Sequence, residues 1–531
     1  MILLPSFLNP WLLWLNMLWL LCFQTTILFA DDCKYFAIHV VDAETGRGVP
    51  LVELKTTNQV TYWTDSAGYI AINEPALWQH EVFFHIHSHG YQLPADFFGF
   101  RGIRILVEPG QSATIKIHRS NLAERLYRVT GADIYRDSLL LQRPVPISQP
   151  VNNSRVTGAD SVLSAVFQGE MNWFWGDTNL HHYPLGVFHA TGAVSKLAAG
   201  DARPTADDRQ LAPLPPEHGV ELEYFVDAKG EAKPMCPLPG DGPTWLEGLT
   251  VLSEPAIPEA GQSAGERMFA AYAKIKPPLD VYERGIVEWN ANEQEFETRL
   301  RFTDTQQGYP MGHPVTNQHD GQSYVYYCRP LPLVRVPATA AALLDPRAYE
   351  VYTCIVPEPV TRAPRVERDV AGQLVWQWRR DGLLPTRELE AELVSQGKIT
   401  ESEQIFRLRT AGSDRWWTLH SASISWNAYR QRWIMLGLEI GGESSFLGEL
   451  YYAEAENLLG PWSPAVKVVT HDKMTFYNPR EHPMLSQLGG QILFFEGTYT
   501  QTFSNAPVAT PRYDYNQIMY RLDLSNPQLH P

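Results

Sequence analysis

Asp160 and Asp177 flank two strand-like runs in GADSVLSAVFQGEMNWFWGDTN (Gly158 to Asn179). The runs are Val162 to Phe167 and Asn172 to Trp175, joined by a turn at Gln168-Gly169-Glu170. In an antiparallel pair the two aspartates fall at the same end of the hairpin. Two carboxylates on one rim suit acid/base hydrolysis of a glycosidic bond, in which one protonates the leaving oxygen and the other activates water or attacks. Aspartates are also ordinary turn residues, and the hairpin alone does not separate the two readings.

With the aspartates as candidates for the base, the acid should be a further Glu or Asp from later in the chain. Gly242-Pro-Thr-Trp-Leu-Glu-Gly puts Glu247 between a tryptophan and a glycine at a strand start, where partial burial would raise its pKa. Glu283, in Val281-Tyr-Glu-Arg-Gly, competes for the role of acid, although pairing with adjacent Arg284 would lower its pKa. Asn179 and His182, His319 in Gln-His-Asp-Gly, His420 in His-Ser-Ala-Ser, and Asn478, His482 and Glu496 are candidates for holding sugar hydroxyls. Each is equally a cap, turn or strand-end residue. His85, His87 and His89 alternate along one strand, as metal ligands can, but no cysteine or carboxylate completes a set. A polar strand face against a neighbouring domain is the favoured reading, so no metal site is assigned. The sequence carries no G-x-S-x-G elbow, phosphate loop, H-E-x-x-H helix or dinucleotide fingerprint.

These residues need elements to position them, and composition bounds what those are. A chain of 531 residues is too long for one core. Its net charge of -16, with no basic cluster, excludes a nucleic-acid backbone as partner and makes an acidic polymer a poor first substrate. Aromatic content of 12% suits stacking on sugar faces, and equally suits strand cores. Residues 1–30 carry no charged side chain, and the run from Trp11 to Ala30 reads as an export signal cleaved near Ala30, with an uncleaved anchor as the alternative. That places the mature protein outside the cytoplasm, secreted or periplasmic. Four cysteines then remain, at 33, 236, 328 and 354. Cys328 with Cys354 is the simplest disulfide by separation, and buried free thiols are the other reading.

Residues 31–118 alternate apolar and polar around Asp42-x-x-Thr-Gly and Thr64-Asp-x-x-Gly turns, as a small antiparallel β-sandwich does. Residues 119–150 read as a linker, with a helical turn over Leu122 to Tyr127 and three prolines beyond. From 151 to 525 the chain is a succession of short strands, with one convincing helix at Arg387 to Gly397. That length of short strands fits a five-bladed β-propeller and is too large for one sandwich. The expected fold is therefore all-β: a sandwich followed by a propeller.

Two resemblances sharpen this. The turn motifs of the first unit resemble the transthyretin-like, carboxypeptidase-regulatory-like fold, which implies an accessory domain without catalysis. Tyr452-Ala-Glu-Ala-Glu-Asn-Leu-Leu-Gly-Pro-Trp resembles a blade motif of the arabinanase-like five-bladed propeller glycoside hydrolases, and Asp160 to Trp175 resembles the start of their first blade. The resemblance implies Asp160 as general base, Asp177 as a rival base or as the group that orients the acid and tunes its pKa, and Glu247 as the acid. It implies a carbohydrate substrate and no cofactor for the chemistry, with a structural calcium ion near His482 as in some relatives. A propeller that only binds glycan or protein, and a polysaccharide lyase working through His182, are the alternatives.

Overall fold

The computed structural model describes residues 34–197, 214–254, 265–303 and 306–530. The expected export signal and Cys33 lie outside them. Among the described residues no helix is long and apolar enough to cross a membrane. The architecture is predominantly β, built from several mainly antiparallel sheets.

Two four-stranded sheets stand at the N-terminal end. One runs Tyr69–Ile72, Phe36–Asp42, Ser112–Arg119, Tyr91–Gln92, and the other Thr61–Trp63, Glu53–Thr56, His80–His87, Gly102–Val107. They share a core of Ile38, Val40, Leu54, Phe84 and Val107. The Asp-x-x-Thr-Gly motif is the turn that ends the first strand. Asp42 Oδ1 accepts the N–H groups of Glu44 at 2.8 Å and Thr45 at 3.3 Å, and Gly46 takes a φ of 72°. Gly68 closes the second turn, where a Cβ would stand 2.5 Å from the Val40 carbonyl oxygen.

Five further large sheets follow, each named from the strand nearest its neighbours, besides a three-stranded and a two-stranded one. The first is Leu163–Phe167, Glu170–Trp175, Thr191–Lys196, Glu223–Tyr224. The second is Thr244–Glu254, Gly265–Lys276, Asp280–Asn290, Glu295–Arg301. The third is His313–His319, Gln322–Cys328, Val334–Pro337, Glu350–Thr353, Gln377–Arg379. The fourth centres on Trp416–Asn427, Arg432–Ile440 and Leu450–Ala455, with Arg407–Arg409 and Val466–Val469 at its edges. The fifth is Thr475–Glu481, Ile492–Thr500, Asn516–Asp523, Glu124–Arg128.

Each sheet shares a hydrophobic cluster with the next. Phe174 and Tyr272 join the first to the second, Ile286 and Tyr327 the second to the third, Tyr326 and Trp417 the third to the fourth, and Leu436 and Phe495 the fourth to the fifth. Trp173, Phe494 and Met519 then join the fifth to the first. The leading strands touch in the same order, and the fifth reaches the first where Arg480 Nη2 donates to the Ser164 carbonyl at 3.1 Å.

Two local expectations change and a third holds. Leu122 to Tyr127 is not a helical turn: Glu124–Arg128 is a fully buried strand hydrogen-bonded to Asn516–Asp523. Its charged sequence conceals it, because Arg125 is buried by bonding to protein oxygens, those of Pro50 at 3.0 Å, His89 at 2.9 Å and Ser88 at 2.6 Å among them. Cys328 and Cys354 are not bridged. They are buried free thiols, as is Cys236, and the two sit in separate clusters, one with Trp417 and the other with Leu393. The expected helix forms as Arg387–Ser395, with Thr386 Oγ1 accepting the Leu389 N–H as its N-cap.

Candidate active site

Asp160 and Asp177 meet where two strands change sheet. Val156–Ala159 and Thr178–Leu180 pair in one small sheet, while Leu163–Phe167 and Glu170–Trp175 pair in the first large one. The aspartates lie in the gap between, opposite one another. Gly176 N–H donates to the Asp160 carbonyl at 2.7 Å, and Asp160 N–H to the Asp177 carbonyl at 3.3 Å. The hairpin therefore does bring both carboxylates to one end. Gly176 is required there, since a Cβ would lie 2.2 Å from Asp160 Oδ1.

The fifth sheet closes over the pair. Tyr477 Oη donates to Asp160 Oδ2 at 2.5 Å, and Tyr515 also hydrogen-bonds this carboxyl. Asn478 Nδ2 donates to Ser161 Oγ at 2.7 Å, and Ser161 N–H to Thr498 Oγ1 at 2.9 Å. Ser161, Asn478 and Tyr515 all carry left-handed backbone, with φ of 52°, 50° and 59°. Non-glycine residues adopt this only where surrounding contacts impose it.

From the second sheet Trp245 Nε1 donates to Asp177 Oδ1 at 2.9 Å. Burial, and then the charge of Asp160, push the Asp177 carboxyl up to about 7, while the indole N–H pulls it down. Burial also holds Asp160 above its ordinary value, against the hydrogen bonds of Tyr477 and Tyr515. The Asp160 charge thus helps to keep a proton on Asp177 up to near neutral pH.

Glu247 follows Trp245 by two residues, and strand alternation turns both toward the same face. Its surroundings are polar. Arg329 Nη1 donates to both carboxylate oxygens, at 2.7 and 2.9 Å, and Gly312 N–H donates at 3.2 Å. The side chain is 29% exposed, at the mouth of a small cavity also lined by Arg284, Tyr309 and Met311. Glu247 is partly buried, as expected at this position, and forms an ion pair with Arg329. Glu283 pairs with Arg301 at 3.2 Å and accepts from Tyr272 Oη at 2.7 Å, rather than joining adjacent Arg284.

The other candidates divide. Asn478 belongs to the rim beside Asp160. His420 lies near Arg329 and Arg387, whose charges add to burial in lowering its pKa to about 4. His482 and Glu496 come together, but beneath the rim and fully buried: His482 Nε2 meets Glu496 Oε1 at 3.0 Å and Nδ1 meets Ser164 Oγ at 2.9 Å. With both ring nitrogens engaged and the Arg480 charge close by, these residues do not fit a calcium site. Asn179 accepts the Leu185 N–H at 2.7 Å as a turn cap, and His182 stands on the exposed turn beyond it, 3.8 Å from Glu231. His319 is at the far end of its strand from His313, roughly 20 Å away at the usual rise per residue. These three do not join the rim. His89 contacts Tyr499 at 3.0 Å, so the histidine-bearing strand meets the fifth sheet, as a polar docking face would.

Sequence reading missed Arg329, which no motif marks. Tyr477, Arg480 and Glu481 stand inside the polar stretch around Asn478, where the density of polar side chains beside proline was the available signal.

No family model and no curated protein matches the sequence. Among solved structures the chain is remotely similar to carbohydrate-active hydrolases. An exo-β-1,3-galactanase from Phanerochaete chrysosporium is 10% identical over 76% of this chain and 65% of that one, with a TM-score of 0.35. An α-L-arabinofuranosidase from Lactobacillus brevis is 9% identical over 70% and 92%, with a TM-score of 0.32. The Bacillus subtilis arabinanase is 6% identical over 68% and 93%, with a TM-score of 0.29. Likeness at this level carries no argument about activity, which rests on the geometry of the rim.

Proposed function

We propose that the protein is a glycoside hydrolase whose five large sheets are the blades of a five-bladed propeller, with Asp160, Asp177 and Glu247 on the rim where the blades converge. The cyclic order of shared hydrophobic clusters supports the propeller, and the fourth strand that Glu124–Arg128 lends to the fifth sheet supports its closure.

The observation that carries the catalytic reading is the pairing of Asp160 with Asp177, reached by Trp245 from the strand that carries Glu247. Asp177, pushed up to about 7, holds a proton to give to a leaving oxygen. Glu247, bound to Arg329, is the acceptor that activates water. Asp160, fixed by two phenols, keeps the Asp177 proton in place through its charge. This departs from the roles that the sequence resemblance implies: Glu247 passes from acid to base, Asp177 becomes the acid, and Asp160 tunes it rather than acting as base, because the ion pair is at Glu247 and the carboxyl pushed up is that of Asp177.

The test is hydrolysis of a panel of plant, algal and microbial polysaccharides by the full chain. Asp177→Asn and Glu247→Gln each lower the rate by roughly 100-fold to 10,000-fold while leaving retention on the same polymer unchanged. A wild-type protein that retains a glycan but releases no sugar from it would instead be a binding propeller.

A further inference from the structure

The rim beside Glu247 carries more positive charge than its one ion pair uses. Arg329 Nη1 and Arg284 Nη1 converge on one thioether, Met311 Sδ, at 3.3 and 3.6 Å. Arg284 stacks 5.0 Å from the Tyr309 ring centroid and, among the described residues, has no carboxylate within ion-pair distance. Two guanidinium groups held this close repel unless an anion lies between or beside them; the Glu247 charge reaches both, but among the described residues it forms an ion pair only with Arg329. A third, Arg387, stands at the first turn of the helix Arg387–Ser395. Its Nη1 is buried without a hydrogen-bond partner, and its ion pair to Glu388 is long, at 3.9 Å. The electrostatic influence of both Arg329 and Arg387 on half-buried His420 shows that this histidine lies near both. Arg284 and Arg329 thus border Glu247 from two different segments, and Arg387 lies beyond them on the side of His420.

We infer that Arg284 and Arg329, with Arg387 beyond them, form a subsite for an anionic group, the carboxylate of a uronic acid or a sulfate ester, on a sugar next to the bond acted on. The inference rests on the glycosidase reading of the same rim. It runs against the overall charge of -16, which disfavours an acidic polymer. Recognition is set by the local field, however, and guanidinium groups bind planar or tetrahedral oxyanions through paired N–H donors.

The experiment uses the full chain bearing Asp177→Asn, so that no substrate is consumed, in affinity electrophoresis against polygalacturonate, a sulfated galactan, neutral galactan and neutral arabinan at two salt concentrations. The expected result is retardation by a charged polymer, weakened by salt, weakened roughly tenfold by Arg284→Gln and restored by Arg284→Lys. Arg387→Gln tests the other end of the subsite should Arg284→Gln lower the melting temperature. Retardation by polygalacturonate alone assigns a carboxylate, by the sulfated galactan alone a sulfate, and by both a site that reads charge. Equal retardation by neutral polymers, or no effect of the arginine variants, overturns the subsite. Asp177-dependent hydrolysis of a neutral polymer with no binding of charged ones overturns it while keeping the glycosidase. Binding of a charged polymer that the wild-type protein never cleaves keeps the subsite and removes the glycosidase.

Discussion

Asp160 and Asp177 are bonded to each other through their backbones at the point where their strands leave one sheet for another, and the charge of Asp160 helps push the Asp177 carboxyl up to about 7. A regular ladder would have spent these positions on pairing; the break frees both side chains to face the rim. Five outcomes test what the pair and its surroundings do.

Gly176→Ala should abolish activity without unfolding the protein. The added methyl would overlap Asp160 Oδ1, at 2.2 Å, so this carboxyl must leave its bond from Tyr477. Turnover should fall at least about 100-fold with the melting transition still cooperative; an active Gly176→Ala variant would exclude Asp160 from the chemistry.

Trp245→Phe and Asp160→Asn should move the rate profile in opposite directions. The indole N–H bonds the charged form of Asp177 and lowers its pKa, whereas the Asp160 charge raises it. A general acid is active while protonated, so the alkaline limb near pH 7 should shift up in Trp245→Phe and down in the residual activity of Asp160→Asn. Shifts of the same sign would remove Asp177 as the acid.

Arg329→Gln should leave Glu247 with only the Gly312 N–H as a donor among the described residues. Activity should drop more than with Arg329→Lys, which keeps the charge, and polymer binding measured by electrophoresis separates this loss from a change in affinity. Identical rates for the two variants would show that the Arg329 charge does not serve the reaction.

Glu496→Gln should change how stability varies with pH. Burial pushes Glu496 up to about 8. An unfolded glutamate ionises near about pH 4, so between the two values the folded state binds the extra proton. Its stability relative to the unfolded chain then declines as pH rises through that window. Denaturant titrations at pH 5 and pH 9 should show the wild type losing stability relative to Glu496→Gln on going to the higher pH. A constant difference would mean that Glu496 is charged throughout.

Arg125→Met should destabilise the whole chain by about 3 kcal/mol. The guanidinium group donates to the carbonyls of Pro50 and His89 and to Ser88 Oγ from inside the fifth sheet, so its loss leaves those acceptors buried and unpaired. The check is chemical denaturation together with protease sensitivity of residues 34–119, which should rise if this contact holds the sandwich against the sheet.

How much of this was legible in the sequence depended on whether a signal is local. Arg432–Ile440 and Leu450–Ala455 announce themselves through apolar, β-prone runs, and the Asp42 and Asp65 turns through residues that bond their own backbone. The aspartate pair was legible because both partners sit on one hairpin. Arg329 was not, because its meeting with Glu247 joins two sheets and depends on where a loop points. Glu124–Arg128 was hidden for a related reason: its charges suit the surface until distant partners neutralise them. His182 and His319 show the converse, being polar residues of promising type that the register carries to outer turns.

That Glu124–Arg128 strand also fixes an order of events. During synthesis it leaves the ribosome long before Asn516–Asp523, the strand it must border. Until that strand is made the growing chain carries Glu124–Arg128 without its neighbour, the kind of unmatched strand that chaperones guard and that aggregates form on. A stop codon that removes Asn516–Asp523 should therefore send the entire product to quality control rather than yield a shortened but working protein.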